Sequence, residues 1–245
     1  MLSLSKHGRN RRAWRTAFDR LRLSGCWSLG ATVAKGCRVS KPPASVDWAE
    51  PGDLAAVAAR IAAEVARPGK KRIAMAGGST PGKVLALLAS QNLDWAGTTI
   101  VPTDDRQVPG DHPASNLGAL RKAFAGTAAT ILPLIEGERP KPFDLVWLGM
   151  GTDGHVASLF PRMCALPRKR REVIAVTPIP LPPEAPFARL TLNRKALAAT
   201  AATIVVITGA AKRAVIEAAL AGCDALPISD VVRNPRAPVT IYWSE

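Results

Sequence analysis

The stretch Arg72-Ile73-Ala74-Met75-Ala76-Gly77-Gly78-Ser79-Thr80-Pro81 decides how this chain is read. A short, mostly apolar run gives a buried-type strand, two glycines break it, and Ser-Thr-Pro opens the next element. Thr80 predicts a helix cap, and Pro81 a first helical position, where a missing N–H costs nothing. A helix then runs through Lys83-Val84-Leu85-Ala86-Leu87-Leu88. A strand leading through glycines into a helix leaves free N–H groups and a positive helix end, where an anion such as phosphate can sit. An ordinary strand-to-helix turn has the same sequence pattern. The loop is neither a Walker Gly-Lys-Ser/Thr loop nor Gly-x-Gly-x-x-Gly.

Working outward, Pro51-Gly52-Asp53 precedes LAAVAARIAAEVA, with Leu54, Val57, Ile61 and Val65 spaced by three and four. That spacing predicts a helix with Asp53 as its N-cap and Pro68-Gly69 as its end. Further strands are predicted at 98–101, 131–134, 144–148, 173–176, 189–192, 203–208 and 239–242. Helices are predicted at 116–124, 155–160, 193–199 and 211–221. The proline-rich run 178–186 reads as a loop. Apolar strands alternating with helices predict an α/β fold: a mainly parallel, doubly wound, modified Rossmann-like sheet with helices on both faces.

At 245 residues and 47% hydrophobic, the chain can bury a sizeable core without disulfides or metals, and its composition excludes a collagen-like repeat or a coiled coil. No apolar run approaches the roughly 18 residues a membrane-spanning helix needs. The formal charge is +14, but it is unevenly spread. Residues 1–41 hold ten basic side chains and one acid, Asp19, whereas the rest carries 23 basic and 18 acidic groups. The expected organisation is therefore a basic, disordered N-terminal extension over 1–45 and a single α/β domain over 46–245. An organellar transit peptide is an alternative reading of the extension, and a DNA-binding arm another, though no recognition-helix pattern accompanies the charge. The mildly basic body suits an enzyme for an anionic metabolite, with neither nucleic acid nor membrane as partner. Cys26, Cys37, Cys164 and Cys223 form no Cys-x-x-Cys pair and no zinc spacing, so reduced thiols, a cytoplasmic chain and no metal are expected.

Ligands of parallel α/β sheets bind at the carboxyl ends of strands, and three polar clusters fall at such ends. Gly77-Gly78-Ser79-Thr80 is the first. The second is Asp104-Asp105-Arg106 with Ser115-Asn116, where carboxylates beside an arginine could orient a sugar hydroxyl and a phosphate; taken by itself, a solvated loop capped by Ser115 or Asn116 explains it better. The third is Leu148-Gly149-Met150-Gly151-Thr152-Asp153-Gly154-His155, three glycines in six residues around an Asp-x-His pair. Histidine is suited to proton transfer near neutrality, and Asp153 could orient it. Two cations stand apart: Arg189 begins a strand, and Lys212 sits near a helix start, where a cation opposes the dipole unless an anion resolves the conflict.

Together these segments, with Val108-Pro109, Val156-Ala157-Ser158-Leu159-Phe160-Pro161 and Arg189-Leu190-Thr191-Leu192, resemble the 6-phosphogluconolactonase family, related to glucosamine-6-phosphate deaminases and isomerases. The resemblance spans about residues 47–245. It implies hydrolysis of 6-phospho-D-glucono-1,5-lactone in the oxidative pentose phosphate pathway, with a sugar-phosphate lactone as partner, no cofactor, and a monomer or small homo-oligomer. It implies His155 as general base supported by Asp153. Arg106, Arg189, Lys212 and Gly77, Gly78, Ser79 and Thr80 would hold the phosphate, with Asp104, Asn116 and Gly151 lining the substrate site. The chain departs from the family at Asp105 (usually Glu), Gln107 (often aromatic) and Arg162 (usually Gly), and 168–171 is unusually basic and reads as a solvated loop. The deaminase branch carries a glutamate where this chain has Phe160, which cannot transfer protons. A non-catalytic sugar-phosphate-sensing module is the rival of another class; it would need neither Asp153 nor His155.

Overall fold

Along the central strands, neighbouring residues face opposite ways into two separate cores. Leu145 and Trp147 join Ile73, Met75, Ile100, Ile204 and Val206 on one side, while Val146 and Leu148 join Ala74, Val101, Val205 and Ile207 on the other. Such strands are apolar on both faces, so they occupy the middle of a sheet covered twice over. The computed structural model that shows this describes residues 45–161, 170–179, 181, 186–222, 226–233 and 235–245. The expectations for 1–44, for all four cysteines, for Arg168 and Lys169 and for most of the proline-rich loop fall outside the described residues.

In chain order the elements are β1 (Val46–Trp48), α1 (Leu54–Val65), β2 (Lys71–Met75), α2 (Ser79–Ala89), β3 (Thr98–Pro102), β4 (Asp104–Arg106), α3 (Asn116–Ala123), β5 (Thr130–Ile131), β6 (Phe143–Gly149), β7 (Val173–Val176), β8 (Arg189–Leu192), α4 (Arg194–Leu197), β9 (Thr200–Thr208), α5 (Ala210–Leu220), α6 (Pro227–Arg233) and β10 (Val239–Ser244). Seven strands pair in the order β1-β10-β9-β6-β2-β3-β5, and every pairing is parallel. Helix α1 buries Val57, Ala58, Ile61 and Val65 on one face, and α5 buries Val215, Ile216 and Ala219 on the other. Each buried valine or isoleucine among them contributes roughly 1.5–3 kcal/mol. Asp53 caps α1 by accepting from the Ala56 N–H at 2.8 Å.

Several features depart from the sequence reading: β5 covers only Thr130–Ile131 of the strand expected at 131–134, and β1 and α6 were not expected. The strands expected at 173–176 and 189–192 do not join the parallel sheet; β7 and β8 pair antiparallel with β4 in a separate three-stranded sheet. The Asp-Asp-Arg segment read as a loop is thus a strand, hidden by its polarity. Helix α2 starts at Ser79 with Gly78 as cap, so Thr80 is not the cap and Pro81 is the third helical residue. No helix forms over 155–160. Val156 instead bridges to Met150 and to Leu159, and Ala157 takes the left-handed conformation with φ 50°.

Candidate active site

From β2 the chain winds outward through β3 to β5; from β6 it winds the other way through β9 to β10. The reversal lies between β2 and β6, and their carboxyl ends open a crevice there, the usual ligand position in such sheets. A cavity of about 280 Å³ fills it. Gly77 and Gly78 after β2, Asp104 and Arg106 of β4, Asn116 of α3, Gly149 and Gly151 after β6, His155, Arg189 of β8 and Lys212 of α5 all line it. The structure therefore gathers the candidates of five distant segments. Asp153 is the exception, reaching the cavity only through His155. The side chains of Ser79 and Thr80 fall outside the described residues.

The turn carrying His155 is built by tertiary bonds that replace the expected helix. Ser158 donates its hydroxyl to Asp104 at 2.5 Å, and its N–H to the Thr191 hydroxyl at 3.2 Å. Gly151 N–H donates to the His155 carbonyl at 3.0 Å, and Gly154, at φ 80°, closes the loop by donating to the Gly151 carbonyl at 3.0 Å. His155 Nδ1 lies 2.6 Å from Asp153 Oδ1, and its backbone N–H donates to the same oxygen at 3.1 Å. Burial pushes the Asp153 carboxyl up, but the hydrogen bond and charge of His155 outweigh it, so the group is held below its ordinary value. A carboxylate can only accept, so Nδ1 carries a proton, and in the neutral ring Nε2 is then the atom with the lone pair. There is room for this pair because residue 151 is glycine: a Cβ there would collide with the imidazole ring.

Three cations, Arg106, Arg189 and Lys212, line the same cavity. Arg106 and Arg189 are directly opposite each other across the antiparallel β4–β8 pair. Like charges in that relation repel. Burial first, and then the Arg106 charge, push the Arg189 guanidinium down, with Asp104 opposing them. Arg106 is fixed by donating to the Ala114 carbonyl at 2.9 Å and to Asn116 Oδ1 at 3.1 Å, and Asn116 in turn donates to the Asp104 carbonyl at 2.7 Å. The Arg106 Nε is buried without a partner among the described residues. Lys212 lies in the first turn of α5, and burial lowers its ammonium. Both α2 and α5 begin at glycines, Gly78 and Gly209, with positive φ and no side-chain cap, so their first N–H groups remain free for an anion.

Sequence reasoning assigned no contact to three residues. Ser158 ties the histidine turn to Asp104. Asp105 faces away from the cavity chemistry and accepts from the N–H groups of Asn116 and Leu117, anchoring the start of α3. Burial raises its carboxyl more than these N–H groups lower it. Phe160 packs its ring 4.6 Å from that of His155 and also under the Arg189 guanidinium at 5.5 Å, linking the imidazole to a cation. Ser158 and Phe160 lie in the same motif as His155, and that motif was their only sequence signal. Among the described residues, no group of three or more His, Cys, Asp or Glu could hold a metal ion.

A family model described as glucosamine-6-phosphate isomerases/6-phosphogluconolactonase matches residues 53–141 and 127–243. The 6-phosphogluconolactonase of Pseudomonas aeruginosa is 34% identical over 221 residues, covering 78% of this chain and 89% of that protein. That of Caulobacter vibrioides is 35% identical over 204 residues, covering 74% and 86%. The crystal structure of a 6-phosphogluconolactonase from Shewanella baltica superposes with a TM-score of 0.70 at 28% identity, over 84% of this chain and 99% of the other. A monomeric glucosamine-6-phosphate deaminase shares the fold, with a TM-score of 0.67 at 18% identity.

Proposed function

Because the chain belongs to the glucosamine-6-phosphate isomerase/6-phosphogluconolactonase family, we propose that it hydrolyses 6-phospho-D-glucono-1,5-lactone to 6-phospho-D-gluconate in the oxidative pentose phosphate pathway. The observation that carries this reading is His155, bonded to Asp153, facing the same 280 Å³ cavity as Arg106, Arg189 and Lys212. A lactone is an activated ester, so its hydrolysis needs a positioned water, a base and charge stabilisation, but no covalent nucleophile. His155 Nε2 takes a proton from water, whose oxygen bonds to the lactone carbonyl carbon. The tetrahedral intermediate collapses by breaking the ring C–O bond, and the proton passes from the imidazolium to the departing ring oxygen. Asp153 holds the tautomer and stabilises the imidazolium in between. The three cations and the free N–H groups of α2 and α5 hold the remote phosphate, and that binding energy fixes the ester at the base.

The amino-sugar isomerase alternative asks for an acid at the position of Phe160, whose ring is packed on His155. A cytoplasmic site of action accords with this substrate, and no helix among the described residues is long and apolar enough to cross a membrane. The test is direct: the purified protein should accelerate 6-phosphogluconolactone hydrolysis above its spontaneous rate near neutral pH. A rate equal to the spontaneous one would overturn the reading.

A further inference from the structure

Behind the catalytic turn lies a second cavity, also of about 280 Å³. The turn alternates between the two spaces: His155 and Ala157 face the first, whereas Val156 and Leu159 face the second. Its walls are largely apolar, including Leu148, Leu197, Val231 and Val239, and the one acid among the described lining residues, Asp230, is paired with Arg194. It shares Lys195, Ala198 and Arg236 with an adjoining space of about 420 Å³. That adjoining space is walled by Arg139, Arg170, Arg171, Lys195 and Arg236, with no acid among the described residues of its lining. Arg170 has a loose ion pair with Glu172 at 3.8 Å, and the other four have no ion pair among the described residues. Five cations brought together from four segments repel one another unless an anion sits between them.

We propose that these two spaces form one effector site for a phosphorylated metabolite with a ring-shaped apolar body, of the nucleoside polyphosphate class. The phosphates would lie among the five cations and the ring in the apolar cavity, reached past Lys195 and Arg236. The occupant would share Val156 and Leu159 with the turn that positions His155, so filling the site alters turnover. Affinity and turnover are linked through that one turn. The site is distinct from the phosphate position between Arg106 and Arg189, and its binding does not rest on the lactonase reading.

ATP and inorganic tripolyphosphate are the probes, titrated by calorimetry into the full chain at low ionic strength. The expected result is saturable ATP binding that persists with 6-phosphogluconate present. Tripolyphosphate, which fills only the basic half, should bind about tenfold more weakly. The surface double variant Lys195→Ala/Arg236→Ala should weaken ATP by at least about tenfold, whereas Lys212→Ala should leave it unchanged. Val231→Trp, which fills the apolar cavity, should bring ATP down to the affinity of tripolyphosphate. Absence of saturable ATP binding, equal affinity in the double variant, or displacement by 6-phosphogluconate would overturn the site. With ATP saturating, an unchanged kcat for the lactone would overturn its link to the catalytic turn.

Discussion

Replacing Gly151 with alanine tests whether the imidazole must stay where the fold puts it. The backbone at 151 is not in the left-handed region, so alanine brings no conformational penalty. The added Cβ would lie 2.7 Å from Asp153 Oδ1 and closer still to the His155 ring, whereas ordinary carbon contacts begin near 3.4 Å. The pair has to give by about 1 Å, and a displacement of that size at a reacting group costs about 10²-fold, or about 2.7 kcal/mol of barrier. Gly151→Ala should therefore lower kcat about 10²-fold. On the proposed reading the phosphate is held elsewhere, so the Kd of 6-phosphogluconate, measured by calorimetry, should move less than about threefold. The melting temperature should stay within about 2 °C, because the clash is with half-exposed side chains and leaves both cores intact. The assay follows lactone loss with the spontaneous rate subtracted. The decisive control is the same substitution in a His155→Asn background, where it should change nothing further, because the base it displaces is already gone. If Gly151→Ala keeps near-parental kcat, or lowers the Asn background by the same factor, the placement of His155 is not what limits turnover.

His155→Asn should itself lower kcat by roughly 10²–10⁴-fold with little change in melting temperature; near-parental kcat would make His155 a structural residue. Arg189→Ala should raise KM for the phosphorylated lactone more than it lowers kcat, and leave the rate with unphosphorylated gluconolactone unchanged; equal sensitivity of the two lactones would rule out a phosphate contact. Burial lowers the Lys212 ammonium, so its charge is present below that lowered value and lost as pH rises through it. Affinity for 6-phosphogluconate should therefore fall on the alkaline side earlier than an ordinary lysine would allow, and Lys212→Ala should flatten that limb; an unchanged limb in the variant would refute the assignment. Deleting residues 1–40 should leave melting temperature and lactone turnover intact, and a drop of several degrees would place that segment against the domain.

Much of the fold was legible in the sequence because its causes are local. Continuous apolar runs around Ile73, Val146 and Val205, the Asp53 cap, and the α3 cap expected at Ser115 or Asn116 and supplied by Ser115 act within one turn or strand, and each appears where the pattern put it. The strand-end glycines and the Asp-x-His pair were legible for the same reason. The sequence could not show that 173–176 and 189–192 leave the parallel sheet, because β4 has only three polar residues and becomes a strand by pairing with β8 far along the chain. Nor could it show that 155–160 is a bridged turn: local propensity favours a helix, but bonds from Ser158 to Asp104 and Thr191 outweigh it. The roles of Ser158 and Phe160, and the juxtaposition of Arg106 with Arg189, exist only once the second sheet forms. The sequence by itself determined which residues could hold a proton or a phosphate, since that is a property of side-chain chemistry and short-range spacing. Only the tertiary structure decided which of them share a cavity, because long-range pairing carries no local signal and is set by burying both faces of one sheet at once.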